Sequence, residues 1–189
     1  MFKKILAIIV VLALSGCTFY QDQNLNIYNP ERITKKHFGT YVEPGNSPVD
    51  PEVFRGYHTA IDFETFEDEQ DIEVPVYTIC EGPIVRNVWA QGYGGVLVQS
   101  CFINGERVTV VYGHIDLESV PDETDLLQFG DFIGNLGDGY SVETDFERKH
   151  LHLGIHKGIE INLLGYVQDP AELDEWIDPW DILTFSDDF

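Results

Sequence analysis

Val96-Leu-Val-Gln-Ser-Cys-Phe-Ile103, then Asn104-Gly105, then Arg107-Val-Thr-Val-Val-Tyr112, is the stretch that decides the fold. Two runs rich in β-branched and aromatic residues flank an Asn-Gly pair. Both central positions of a type I′ turn need φ > 0, which Asn and Gly tolerate, so the stretch predicts a β-hairpin. The same texture continues outward. Val74-Pro-Val-Tyr-Thr-Ile-Cys80 is β-rich, Gly82-Pro83 marks a turn, and Ile84 to Trp89 reads as the next strand before Tyr93-Gly94-Gly95. Downstream, Gly130-Asp-Phe-Ile-Gly134 reads as a short strand, and His150-Leu-His-Leu-Gly-Ile-His156 alternates with period two. Closely spaced strands with Gly-rich turns predict an all-β domain built on compact antiparallel sheet. One short helix is expected near the C-terminus, over Pro170 to Ile177.

The first residues have a different character. Met1-Phe-Lys-Lys4 is a basic head, Ile5 to Leu14 an apolar run, and Leu14-Ser-Gly-Cys17 follows. Such a run spans only about 15 Å as a helix, half a bilayer core. Its length suits the apolar region of a signal peptide rather than a membrane span. The ending resembles a bacterial lipoprotein signal, in which the cysteine is lipidated. Residues 1–16 are therefore expected as a signal peptide. Residues 17–50, patternless and rich in Asn, Pro and Gly, are expected as a polar tether. The domain is expected over 51–189. The resemblance implies an exported protein, anchored to the bacterial cell membrane through lipidated Cys17 and facing the wall or periplasm.

The charge balance excludes one class of partner. Thirty-three acidic residues against 11 basic ones give a net charge of −22 and a pI near 4.3. Nucleic-acid binding rests on Lys and Arg neutralising phosphates, so no nucleic-acid partner is expected. Once Cys17 is acylated, Cys80 and Cys101 remain as an even pair in strand-like segments. Export permits a bridge between them; two buried free thiols are the other reading.

The six histidines carry the chemistry. In a strand, His150 and His152 project from one face about 6.6 Å apart, with Leu151 and Leu153 on the other. One can be a metal ligand and the other can reach a bound water or substrate. Leu153 stands where a helical zinc-protease motif would carry its glutamate. His156 lies about 13 Å beyond His152 on a straight strand, too far to share a metal. His58-Thr-Ala-Ile-Asp62 is a second group. Its ends meet at one metal only if the chain bends or makes a helical turn. Two imidazoles and a carboxylate would leave a fourth tetrahedral position open, as in catalytic zinc sites. The cysteines are not placed with the histidines. No role is assigned to His37.

These motifs, in this order, resemble the LytM/lysostaphin-type zinc metallopeptidases, which are peptidoglycan endopeptidases. That family carries HxxxD, Tyr-x-His and HxH in sequence; this chain has His58-Thr-Ala-Ile-Asp62, Tyr112-Gly-His114 and His150-Leu-His152. Glu81-Gly82, Gly92-Tyr-Gly-Gly95, Gly130-Asp-Phe-Ile-Gly134 and Asp178-Pro179 are similar to further family landmarks. The resemblance covers about Phe54 to Leu183. It implies a substrate groove across the sheet and zinc held by His58, Asp62 and His152. It also implies catalytic roles for His114 and His150 and peptides of peptidoglycan as substrate. The alternative it leaves is a non-catalytic relative that binds cell wall or activates another hydrolase; such relatives usually lose zinc ligands. Three departures stand out: Ala60 where the family usually has glycine, a longer and charged loop over 137–149, and an apparent insertion from Gly158 to Glu175.

Overall fold

The computed structural model describes residues 27–122, 124–125 and 127–185. The expected signal peptide, Cys17 and the start of the tether lie outside them. Among the described residues no helix is long and apolar enough to cross a membrane.

Among the described residues, twelve strands, all paired antiparallel, make three sheets. The principal sheet holds β3 (Ala60–Glu64), β5 (Ile84–Ala90), β6 (Gly94–Ile103), β7 (Glu106–Gly113), β10 (His150–Lys157) and β12 (Trp176–Ile177). Its order is β12-β10-β7-β6-β5, and β3 also pairs with β10. A second sheet joins β1 (Tyr41–Val42), β2 (Gly56–His58) and β11 (Tyr166–Val167). A third joins β4 (Pro75–Tyr77), β9 (Phe132–Leu136) and β8 (Ile115–Asp116). The all-β expectation holds. The deciding hairpin is β6–β7, with Ile103 opposite Glu106 and positive φ at both Asn104 and Gly105.

Period-two alternation sorts the principal sheet into two faces. Leu97, Val110, Tyr112, Leu151, Leu153, Ile155, Ile61 and Phe63 enter the main core. Val96, Val98 and Val111 instead form a smaller cluster with Tyr93, beneath the functional side chains. Cys80 and Cys101 form a disulfide, with Cα atoms 6.0 Å apart. Of the two readings of these cysteines, the structure takes the bridge.

Two expectations need correction. From Ile27 onward, the segment expected to be tether is part of the fold. Ile27 is fully buried in the main core, and Arg32 is buried in a bidentate pair with Glu69. Lys36 is buried against Glu52 at 2.7 Å, and β1 extends the second sheet along β2. Its composition misleads because burial comes from single residues with no period, and because its charges are neutralised by distant partners.

The expected helix over Pro170 to Ile177 is instead a 3-10 helix, Pro170–Glu175, running into β12. Asp169 caps its start reciprocally with Glu172, a signal that suits any helical first turn. What ends it is Trp176, which is buried and pairs with His156 across the sheet. The α-helix, α1 (Pro179–Phe185), starts at the next proline.

Candidate metal and catalytic site

The site is built on the β3–β10 ladder. Asp62 lies opposite His152 and Glu64 opposite His150. Side chains two apart on a strand share a face, so these four polar groups converge on the face away from the main core. His58 reaches the same place because the chain changes sheet at Thr59. There β2 ends and β3 begins, while Thr59 N–H donates to Gly165 O and Thr59 Oγ1 to Leu164 O. The bend required between His58 and Asp62 is thus supplied by a sheet-to-sheet step. The Ala60 methyl does not prevent it, because Ala60 faces Gly154, which has no side chain.

Three donor atoms meet. His58 Nε2, His152 Nδ1 and Asp62 Oδ1 lie 3.2 Å from one another in every pairing. Ligands about 2.0–2.1 Å from a tetrahedral zinc stand about 3.3 Å apart, so the triangle has the right size. Asp62 Oδ1 is buried without a hydrogen-bond donor. An orphaned carboxylate oxygen facing two imidazole nitrogens is what a cation would satisfy. Among the described residues this trio is the group whose geometry could hold a metal ion.

Surrounding groups fix each donor. His58 Nδ1 donates to His37 O at 3.2 Å, leaving Nε2 to face the site. His37, unassigned from sequence, therefore contributes through its carbonyl. His152 Nε2 meets Tyr93 OH at 3.3 Å. That approach requires Gly113: a Cβ there would sit 2.5 Å from the Tyr93 ring. Tyr93 is accordingly a supporting residue of the site, and the glycine of Tyr112-Gly-His114 has a steric reason.

His150 and His114 stand beside the trio, with ring centroids 4.3 Å apart. His150 Nδ1 donates to Arg148 O at 2.8 Å, which leaves Nε2 facing the site, 3.4 Å from Asp62 Oδ2. His114 adopts a left-handed backbone, φ 65°, at the step from β7 to β8. Its carbonyl accepts from Gly137 N–H at 2.8 Å, which holds that conformation. His114 Nδ1 is buried without a partner.

Electrostatics follow from burial and charge. Burial penalises the Asp62 carboxylate, but His150, His58 and Arg148 outweigh that and hold its pKa well below the usual range. Burial pushes His152 down to about 4, against the pull of Asp62. Burial and the neighbouring histidines also hold His114 well below its ordinary value. A neutral His152 and an ionised Asp62 are protonation states that metal ligation needs.

The site opens into a cavity of about 270 Å³. Phe54 stacks on Tyr166 with centroids 5.2 Å apart, and Tyr166 in turn lies against His58. Lys36 Nζ donates to Tyr166 OH at 2.8 Å. Leu163, Leu164 and Gly165 come from the stretch flagged as an insertion, and they form part of the wall. Glu147 and Arg148 come from the charged loop. Sequence reasoning missed Arg148, Glu64, Tyr166 and Lys36. Only the charged character of the loop hinted at one of them. His156 stays apart from the trio and packs on Trp176.

A β-sheet site with this donor trio and an adjacent histidine pair defines a class of metallopeptidase-like domains. The chain belongs to peptidase family M23, whose family model matches residues 56–163, more than half of its length. Among solved structures it is similar to the catalytic domain of the antimicrobial peptidase lysostaphin from Staphylococcus simulans. Identity is 21%, the match covers 82% of this chain and 94% of that one, and the TM-score is 0.53. It is also similar to LytU, with 26% identity over 80% of this chain and 90% of that one, at a TM-score of 0.49. Comparison with curated proteins gave no match.

Proposed function

We propose that the protein is a zinc-dependent endopeptidase that hydrolyses peptide bonds in peptidoglycan stem peptides or cross-bridges. It is exported and held at the bacterial cell membrane through lipidated Cys17. Membership of peptidase family M23 supports the peptidase class. The observation that carries zinc-dependent hydrolysis is the donor triangle of His58, Asp62 and His152, with the His114–His150 pair at its edge. A degenerate binding domain would not need all five side chains.

In this reading His58 Nε2, Asp62 Oδ1 and His152 Nδ1 hold the zinc. Zinc so held supplies Lewis acidity, lowering the pKa of water and polarising a carbonyl. The chain's own residues do the remaining work. With no carboxylate base in the motif, His150 and His114 handle protons, for which imidazole is suited. His150 presents Nε2 towards the reacting groups because its Nδ1 is committed to Arg148 O. The pair takes a proton from the attacking water and returns one to the leaving amine. The aromatic wall of Phe54 and Tyr166 positions the peptide beside them.

Digestion of purified peptidoglycan tests the reading. Soluble fragments bearing new amino termini are expected, abolished by a chelator and restored by zinc. Intact peptidoglycan after prolonged incubation with zinc-loaded protein would overturn it.

A further inference from the structure

The β3–β10 register offers the site two carboxylates where the donor triangle takes one. Asp62 and Glu64 project from the same face of β3, opposite His152 and His150. Both are buried. Yet only Asp62 joins the triangle.

We infer that Arg148 is the positioning residue that makes this choice. It pins the outer oxygen of Asp62 and holds Glu64 away from the metal. The inference rests on reading the trio as a zinc site. Arg148 Nη2 donates to Asp62 Oδ2 at 2.7 Å and to Glu64 Oε1 at 2.6 Å. Arg148 Nε lies 2.9 Å from both Glu64 oxygens. Asp62 is thereby left with Oδ1 as its free oxygen, facing His58 and His152. Glu64 has both oxygens committed. The carbonyl of Arg148 meanwhile accepts the His150 Nδ1 proton. One residue therefore sets the ligand, the excluded carboxylate and the ring orientation of a catalytic histidine.

The chemistry requires arginine. A planar fork can serve two carboxylates at once from fixed directions, whereas an ammonium is a single point charge. The cation does not simply oppose a metal cation, since Glu64 balances its charge. Lys35 also reaches Glu64, at 3.3 Å, but its side chain is 40% exposed and it makes no ion pair with Asp62. Partners of ligating carboxylates and imidazoles typically govern metal affinity by 10–100-fold.

The test uses the chain from Phe19 onward in five forms: wild type, Arg148→Lys, Arg148→Gln, Glu64→Gln, and Arg148→Gln with Glu64→Gln. Zinc affinity is measured by competition with a chromophoric chelator. Geometry is read from the visible absorption of the cobalt(II)-substituted protein. Arg148→Gln is expected to bind zinc roughly 10–100-fold more weakly, with fainter cobalt bands as the freed Glu64 joins the metal. Arg148→Lys should remain weakened. The double variant, which removes the Glu64 charge together with its guanidinium partner, should recover the cobalt band intensity. It should still bind zinc about tenfold more weakly than Glu64→Gln alone, and this comparison decides if Arg148→Gln does not fold. Wild-type cobalt spectra in all forms, with zinc affinities within about twofold, would overturn the inference. A wild type that binds no zinc would overturn the reading of the site, and this inference with it.

Discussion

Asp62 and His152 are direct partners across the β3–β10 ladder, and their Oδ1 and Nδ1 atoms lie 3.2 Å apart. These two members of the candidate donor trio are thus set by strand register. A one-residue slip of either strand would turn that strand's donor towards the core. The buried leucines of β10 and the apolar residues of β3 prevent that slip, so the packing of the sheet specifies the site.

His114 and His150 are expected to serve turnover rather than metal binding. His114→Ala and His150→Ala should each retain zinc yet lose about 10²–10⁴-fold in kcat, the usual scale of proton-transfer catalysis. Metal analysis beside peptidoglycan digestion checks both halves. Near-normal activity in either variant would remove that residue from the mechanism.

Tyr93 supports His152 from behind. Tyr93→Phe removes the hydroxyl that meets His152 Nε2 at 3.3 Å while leaving the ring in its cluster. Zinc should be held about tenfold more weakly, with little change in melting temperature of the metal-free protein. Chelator competition and calorimetry measure the two separately.

The N-terminal segment is fastened by Arg32 and Glu69, whose side chains are 0% and 5% exposed. Glu69→Gln leaves a buried guanidinium without its carboxylate, at a cost of about 3 kcal/mol. The sign of the pH effect is defined. Burial raises the Glu69 pKa, but hydrogen bonds and charge from Arg32 outweigh it and place the folded value below the ordinary 4.5. The stabilisation is therefore complete above the unfolded pKa and is lost as pH falls through the folded one. Melting curves should show wild type and variant well separated at neutral pH and converging below about pH 4.5.

The Cys80–Cys101 bridge closes a loop of modest length, its cysteines lying 21 positions apart in the sequence. Loop-closure entropy assigns such a bridge about 3 kcal/mol. Reduction should lower the denaturant midpoint accordingly, without displacing zinc, since neither cysteine is a donor. Unchanged stability under reductant would contradict this.

What was legible in the sequence was local. The β6–β7 hairpin follows from Asn104-Gly105, and the His150–His152 pair from strand alternation; both depend on neighbours along the chain. The approach of His58 to Asp62 was not legible, because it depends on the sheet change at Thr59 and on Gly165, more than 100 residues away. The Arg148–Glu64 pair depends on the β3–β10 register. Ile27, Arg32 and Lys36 sit in a polar stretch without period, so their burial left no signal. The 3-10 helix over Pro170–Glu175 shares its capping chemistry with an α-helix, and only the seat of Trp176 in the sheet distinguishes them.

The central claim is that His58, Asp62 and His152 form a zinc site. Metal content of the purified chain from Phe19 onward, beside an Asp62→Ala variant, tests it most directly. The account predicts about one zinc per chain in the wild type, as a single set of three donors requires, and its loss in the variant. A wild type that carries no zinc and takes up none when it is added would contradict it.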